Sequence, residues 1–231
     1  MKKTFNPKKF KIIITAGPTR EWIDPVRFIS NPASGKTGFE LAKQSLFYFK
    51  EVVYITGAVY PEYKNVKEAK NLYVDSTQEM GETVFKELKD DCILIMSAAP
   101  ADYTVKKVSE KKIKKSESTI TIELIPTIDI LKTIGTSLSK QYKKLILVGF
   151  AAETHDLEEN AKEKLKKKNI HFICANHVYK NQSGFGNLEN QIIIFDKWNG
   201  KNIIPLANKE ELARKILEFI IEKITEVWDQ I

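Results

Sequence analysis

Three stretches of this sequence combine small residues, turn formers and charge in a way that suits an anionic ligand. The first runs Thr15-Ala-Gly-Pro-Thr-Arg20, then Asp24-Pro-Val-Arg27, then Ser30-Asn-Pro-Ala-Ser-Gly-Lys-Thr-Gly38. Small residues such as Gly17, Ser34 and Gly35 let backbone N–H groups approach a phosphate, and a helix opening near Thr37 adds its dipole. A plain structural turn is the alternative. Gly35-Lys36-Thr37 resembles the end of a Walker loop, but that pattern needs a glycine where Ser30 stands. Asn31 is either a turn former or an amide that holds a carbonyl or acyl intermediate.

The second stretch follows Met96 and Ser97 and reads Ala98-Ala-Pro-Ala-Asp102. The tiny side chains of Ala98, Ala99 and Ala101 leave the backbone open to flat contact with a base or an acyl chain. A helix entry capped by Asp102 is the other reading. The third stretch, Val148-Gly-Phe-Ala-Ala-Glu-Thr154, sets one aromatic among small residues. Phe150 either stacks on a base or packs into the core. Two sets of lysines complete the inventory. Lys111-Lys-Ile-Lys-Lys115 is a solvated face or a basic flap whose ammonium groups stabilise charge on transferred phosphate oxygens. Lys164 and Lys168 share one helical face at i,i+4.

The elements that must position these residues alternate along the chain. Short β-branched or apolar runs at 11–17, 51–57, 71–75, 92–96, 145–150 and 171–175 predict strands, several of them buried on both faces. Apolar spacing predicts helices at 37–49, 157–168 and 210–228, and a capping box from Ser76 to Glu79 opens one reaching about residue 88. Alternation at 119–124 suggests a half-exposed strand, and 191–195 with 202–205 a hairpin around Trp198-Asn-Gly200. The pattern predicts one α/β domain over residues 1–231: a Rossmann-like, mainly parallel sheet with helices on both faces. The segments 119–124 and 191–205 form an antiparallel extension whose open edge suits a partner chain. Ligands of such sheets sit at the carboxyl ends of the strands, which selects the loops after Ile14, Ile55, Met96 and Val148.

Composition excludes several classes. The net charge of +7 over 231 residues suits anionic small molecules, and no nucleic-acid motif accompanies it. No apolar run approaches membrane-spanning length, and the apolar stretch behind the basic start is too short for a signal peptide, so a cytoplasmic protein is expected. Cys92 and Cys174 sit in apolar runs as free thiols. His155, His171 and His177 have no zinc-like spacing.

Taken together, these strings resemble the bacterial, CTP-using phosphopantothenoylcysteine synthetase family. The matching segments are residues 14–32, Ala98–Tyr103, Lys112–Lys115, Asp129-Ile-Leu131, Gly149–Thr154 and Ala175-Asn176, in family order. The resemblance implies ligation of 4′-phosphopantothenate to cysteine through an acyl-cytidylate, with Mg²⁺ accompanying CTP. It implies that Lys112 assists the first step, that Asn31 holds the intermediate, and that Arg27 supports that loop and acts across a homodimer interface. It places Asp102, Phe150, Lys164 and Lys168 on the nucleotide, with main chain of Met96, Ser97, Ala98, Ile128, Asp129, Ile130 and Leu131 as a base-recognition wall. Three positions depart from the pattern: Ala33 where serine is common, Thr37 where methionine is common, and Ile128 where proline is usual. The chain begins almost at the synthetase's first strand. A free-standing enzyme without flavin is therefore expected, with a separate phosphopantothenoylcysteine decarboxylase as its partner.

Other classes fit less well. A Rossmann oxidoreductase needs Gly-x-Gly-x-x-Gly after the first strand, and Gly17 stands alone in its turn. A ligase forming an acyl-adenylate from ATP is the closest alternative, and a non-catalytic nucleotide-binding module the second.

Overall fold

The computed structural model describes residues 4–115, 117–177 and 189–231, so residues 1–3 of the basic start lie outside it. Its frame is an eight-stranded sheet. In chain order the strands are β1 (Lys11–Ala16), β4 (Glu51–Thr56), β5 (Lys70–Tyr73), β6 (Cys92–Met96), β9 (Leu145–Glu153), β10 (Phe172–His177), β11 (Glu189–Asp196) and β12 (Lys201–Asn208). Spatially they run β12-β11-β10-β9-β6-β1-β4-β5. All pairs from β10 to β5 are parallel, while β11 and β12 add an antiparallel edge. The chain therefore builds a Rossmann-like α/β fold.

The strands are unbroken apolar runs because both of their faces are covered. Ile12, Ile13 and Ile14 are wholly buried, each stabilising the fold by roughly 1.5–3 kcal/mol. Ile12 and Ile14 face the layer of α1 (Lys36–Ser45) and α5 (Lys209–Glu226); Ile13 faces α2 (Thr77–Glu87), α3 (Ile130–Thr133) and α4 (Leu157–Lys167). Ser76 caps α2 by accepting from the Glu79 N–H, while the Glu79 carboxylate returns to the Asp75 N–H, one residue before the cap that a capping box would engage. Both cysteines are free and buried. His171 is neutral: burial, and then the Lys197 charge, push its imidazole down to about 3, and Nδ1 accepts from the Leu147 N–H. No helix among the described residues is long and apolar enough to cross a membrane.

Three expectations are corrected here. Residues 119–123 form no strand; only β8 (Leu124–Pro126) does, pairing with β7 (Tyr103–Val105) as a separate small sheet. Residues 119–126 are exposed throughout, so no covered face exists for the alternation to match. The two antiparallel pieces are accordingly not one extension. The polar loop after β1 also contains a hairpin, β2 (Glu21–Asp24) with β3 (Arg27–Ile29). Finally, Gly149–Glu153 is not a loop: β9 continues to Glu153 and pairs with β10 as far as His177.

Candidate active site

Strand order reverses beside β1. From there β4 and β5 lie to one side and β6, β9 and β10 to the other. The crevice at such a reversal is where open α/β sheets take ligands. Here the loops after β1 and β6 meet across it, through a Pro18–Ala99 bridge and an Ala99 N–H donated to the Gly17 carbonyl at 2.9 Å. Asn31 ties a third strand of chain to the same place, its Nδ2 donating to the carbonyls of Ala99 and Pro100 at 3.1 Å each.

Below these loops lies a buried polar cluster that patterns of single residues did not indicate. Glu21, 5 % exposed, accepts from the Thr77 N–H at 2.9 Å and the Thr77 hydroxyl at 2.8 Å, and from Thr19 at 3.2 Å. Thr19 in turn accepts from the Ala101 N–H at 2.9 Å, and Thr127 donates to the Ala101 carbonyl at 2.6 Å. A fully satisfied buried network of this kind rigidifies its surroundings. It fixes Ala99–Asp102 against the start of α2. The string Thr19-Arg-Glu21 beside a helix-opening threonine is the only signal for it in the sequence.

A cavity of about 240 Å³ opens between the β6 loop, α3, β9 and α4. It gathers Met96, Ala98, Ala101, Asp102, Ile128, Asp129, Ile130, Leu131, Phe150, Lys164 and Lys168. Residues 70 positions apart in sequence thus share one wall. Asp129 caps α3 through the Lys132 N–H and pairs with Lys168 at 2.9 Å; Lys164 pairs with Glu153 at 2.6 Å. Asp102 opens β7 and caps no helix. Phe150 is half-buried and lines both this cavity and a second cleft of about 220 Å³ with Ser97, Ala98 and Ala99.

Gly17, Ser34 and Gly35 line neither cavity. Gly17 and Gly35 have left-handed φ values of 75° and 89°, and a Cβ on either would come within 2.3 Å of Val59. Ser34 accepts the Tyr60 N–H through its carbonyl. These residues lock the loop onto Val59 and Tyr60, in the segment after β4, and leave α1 opening at Lys36 with Gly35 as its cap residue.

Arg27 and the backbone of the lysine run, at Ile113, meet through one buried acid. Asp24 is fully inaccessible. Burial alone would raise its pKa, but the N–H groups of Val26 and Ile113, the Arg27 guanidinium and the Arg27 N–H together hold it below the ordinary carboxylate value. Arg27 Nη1 reaches Asp24 at 2.6 Å and the Ile113 carbonyl at 3.1 Å. The lysine run is therefore pinned at its one apolar residue, while Lys111, Lys112, Lys114 and Lys115 point to solvent.

Fold and crevice together define a Rossmann-like α/β protein with its cleft at the carboxyl edge of a parallel sheet. The chain belongs to the DNA/pantothenate metabolism flavoprotein C-terminal domain family, whose model matches residues 8–224. It is 41 % identical over 213 residues to the coenzyme A biosynthesis bifunctional protein CoaBC of Bacillus subtilis, covering 90 % of this chain and 50 % of that protein. The chain thus spans about half the length of the curated relatives it matches. The crystal structure of the C-terminal domain of a CoaBC protein superimposes with a TM-score of 0.74 at 35 % identity, covering 95 % of this chain and 97 % of that one. A Streptococcus pneumoniae DNA/pantothenate metabolism flavoprotein, 22 % identical, shares the fold at a TM-score of 0.75 over 91 % of this chain and 98 % of that one.

Proposed function

We propose that this chain joins 4′-phosphopantothenate to L-cysteine in coenzyme A biosynthesis, as one catalytic unit, using CTP. The observation that supports it most is the cavity that brings Met96, Ala98, Ile128–Leu131, Phe150, Lys164 and Lys168 together beside the Asn31 amide. In the first step a carboxylate oxygen of phosphopantothenate bonds to the α-phosphorus of CTP. The α–β P–O bond breaks and pyrophosphate leaves. In the second step the cysteine amine bonds to the acyl carbon, loses a proton to solvent, and the acyl C–O bond breaks to release CMP.

In this account the cytosine lies against the backbone of Met96–Ala98 and Ile128–Leu131, with Phe150 at its edge. Lys164 and Lys168 exchange their carboxylate partners for nucleotide oxygens. Lys112 closes over the phosphates from the run pinned at Ile113 and offsets the repulsion between carboxylate and triphosphate. No side-chain nucleophile is required. Among the described residues no three His, Cys, Asp or Glu side chains converge on a metal position. The described residues build no cage of their own for Mg²⁺, an ion commonly held by substrate phosphates and water.

The nucleotide is tested by pyrophosphate release with CTP, ATP, GTP and UTP, each with phosphopantothenate and cysteine. CTP should dominate; equal or greater release from ATP would replace the acyl-cytidylate with an acyl-adenylate. A free phosphopantothenoylcysteine decarboxylase, or a fused one, would consume the product.

Two surfaces support a homodimer: exposed Ile120, Ile122, Leu124 and Ile125 around β8, and Ile203 and Leu206 on the edge strand β12. Light scattering at micromolar concentration should give twice the chain mass; a monomer would contradict the assignment.

A further inference from the structure

Among the described residues, the second cleft holds a charge without a counter-charge. Lys209 is the first residue of α5 and only 7 % exposed, yet among the described residues no carboxylate or carbonyl receives its ammonium group. The two acids that follow it are turned elsewhere, Glu210 to Lys43 and Glu211 to Lys215. A cation at a helix N-terminus also opposes the helix dipole. Burial, and the Lys36 charge after it, push the Lys209 ammonium down to about 8, so it remains charged at neutral pH.

A second group in the same cleft is equally unmatched. Asn190, 5 % exposed, has its Oδ1 buried without a hydrogen-bond partner. It is the second residue of β11, next to a register shift in the pairing with β12. Lys209 and Asn190 line the 220 Å³ cleft with Thr37 at the start of α1, Asn176 at the end of β10, and Phe150. Buried polar groups normally find partners, and an unpaired buried charge is costly. An anion in the cleft would pair with the Lys209 ammonium, and rotation of the Asn190 amide would present its NH₂ to the same anion.

We propose that Lys209, with Asn190, forms a subsite for a phosphate dianion, across Phe150 from the cavity that holds Asp129 and Lys168. The assignment of that phosphate to a substrate rests on the function proposed above. Two sources carry the same chemistry: the 4′-phosphate monoester of phosphopantothenate and the β,γ-phosphates of the nucleotide. The monoester needs a site well separated from the reacting carboxylate, and a cleft sharing Ala98 and Phe150 with the first cavity offers one.

The test uses the full chain and two variants, Lys209→Met and Lys209→Arg. Lys209→Met should raise the melting temperature without ligand, because it removes an unpaired buried charge. It should also weaken calorimetric binding of inorganic phosphate and pyrophosphate at least tenfold, while Lys209→Arg keeps most of the affinity. A tenfold rise in KM for phosphopantothenate at unchanged KM for CTP identifies the monoester; the reverse identifies the nucleotide. Wild-type phosphate binding retained by Lys209→Met, or no binding by the wild-type chain, overturns the subsite. Unchanged KM values for both substrates overturn its assignment to them. Calorimetry needs no turnover, so a chain that binds phosphate at Lys209 but releases no pyrophosphate refutes the proposed reaction and leaves the subsite standing.

Discussion

Replacing Lys112 with alanine should slow pyrophosphate release by about 10²–10³-fold, the range seen when a donor aimed at developing transition-state charge is lost. The melting temperature should stay within a degree or two of wild type. Lys112 is exposed and makes no structural contact comparable to that of its neighbour Ile113, whose N–H and carbonyl bind Asp24 and Arg27. The run is therefore held in place by its backbone, and its charges are left for a ligand. A carboxylate approaching a triphosphate meets like charge, and a lysine placed over the phosphates lowers that barrier only in the first step. Single-turnover pyrophosphate release from CTP and phosphopantothenate, without cysteine, isolates this step. A wild-type rate in the variant would return the run to a solvated face.

The second large effect is expected at Asn31. Its NH₂ group donates to the Ala99 and Pro100 carbonyls, so the structure gives it a positioning task at the crevice whatever else it does. Asn31→Asp keeps the shape but sets a carboxylate against two carbonyl oxygens and adds negative charge near phosphates. The loss should be about 2–4 kcal/mol, or roughly 30- to 1,000-fold in rate. It should fall more heavily on cysteine-driven CMP release than on pyrophosphate release, with acyl-cytidylate escaping into solution. Asn31→Ala, which breaks the ties without adding charge, should lie between the variant and wild type. Normal product formation by Asn31→Asp with no free intermediate would leave Asn31 as a loop tie alone.

The parallel core was legible because burial on both faces forces unbroken apolar runs. Ile12–Ile14, Val52–Ile55 and Cys92–Met96 could hardly be anything else. Local alternation proved a poorer guide. Residues 119–123 have the period of a strand but no neighbour that covers a face, and the β2–β3 hairpin is too short to show a period at all. Of the site, the walls were legible as small-residue strings, since a backbone left open to a ligand needs small side chains. The buried acid Asp24, the Thr19–Glu21–Thr77 cluster and Lys209 were not. Lys209 reads as one more lysine in a Lys-Glu-Glu helix start. Only the tertiary meeting of α1, β9, β10, β11 and α5 buries it.

The central claim is that the carboxylate of phosphopantothenate is activated by direct attack on the α-phosphate. Phosphopantothenate carrying ¹⁸O in its carboxylate distinguishes this from every other activation. One carboxylate oxygen becomes the bridge of the acyl-cytidylate and leaves with the nucleotide when cysteine attacks the acyl carbon. The account predicts one ¹⁸O in the phosphate of CMP and the other in the amide of the product. Unlabelled CMP, or label in inorganic phosphate accompanied by CDP, would contradict it.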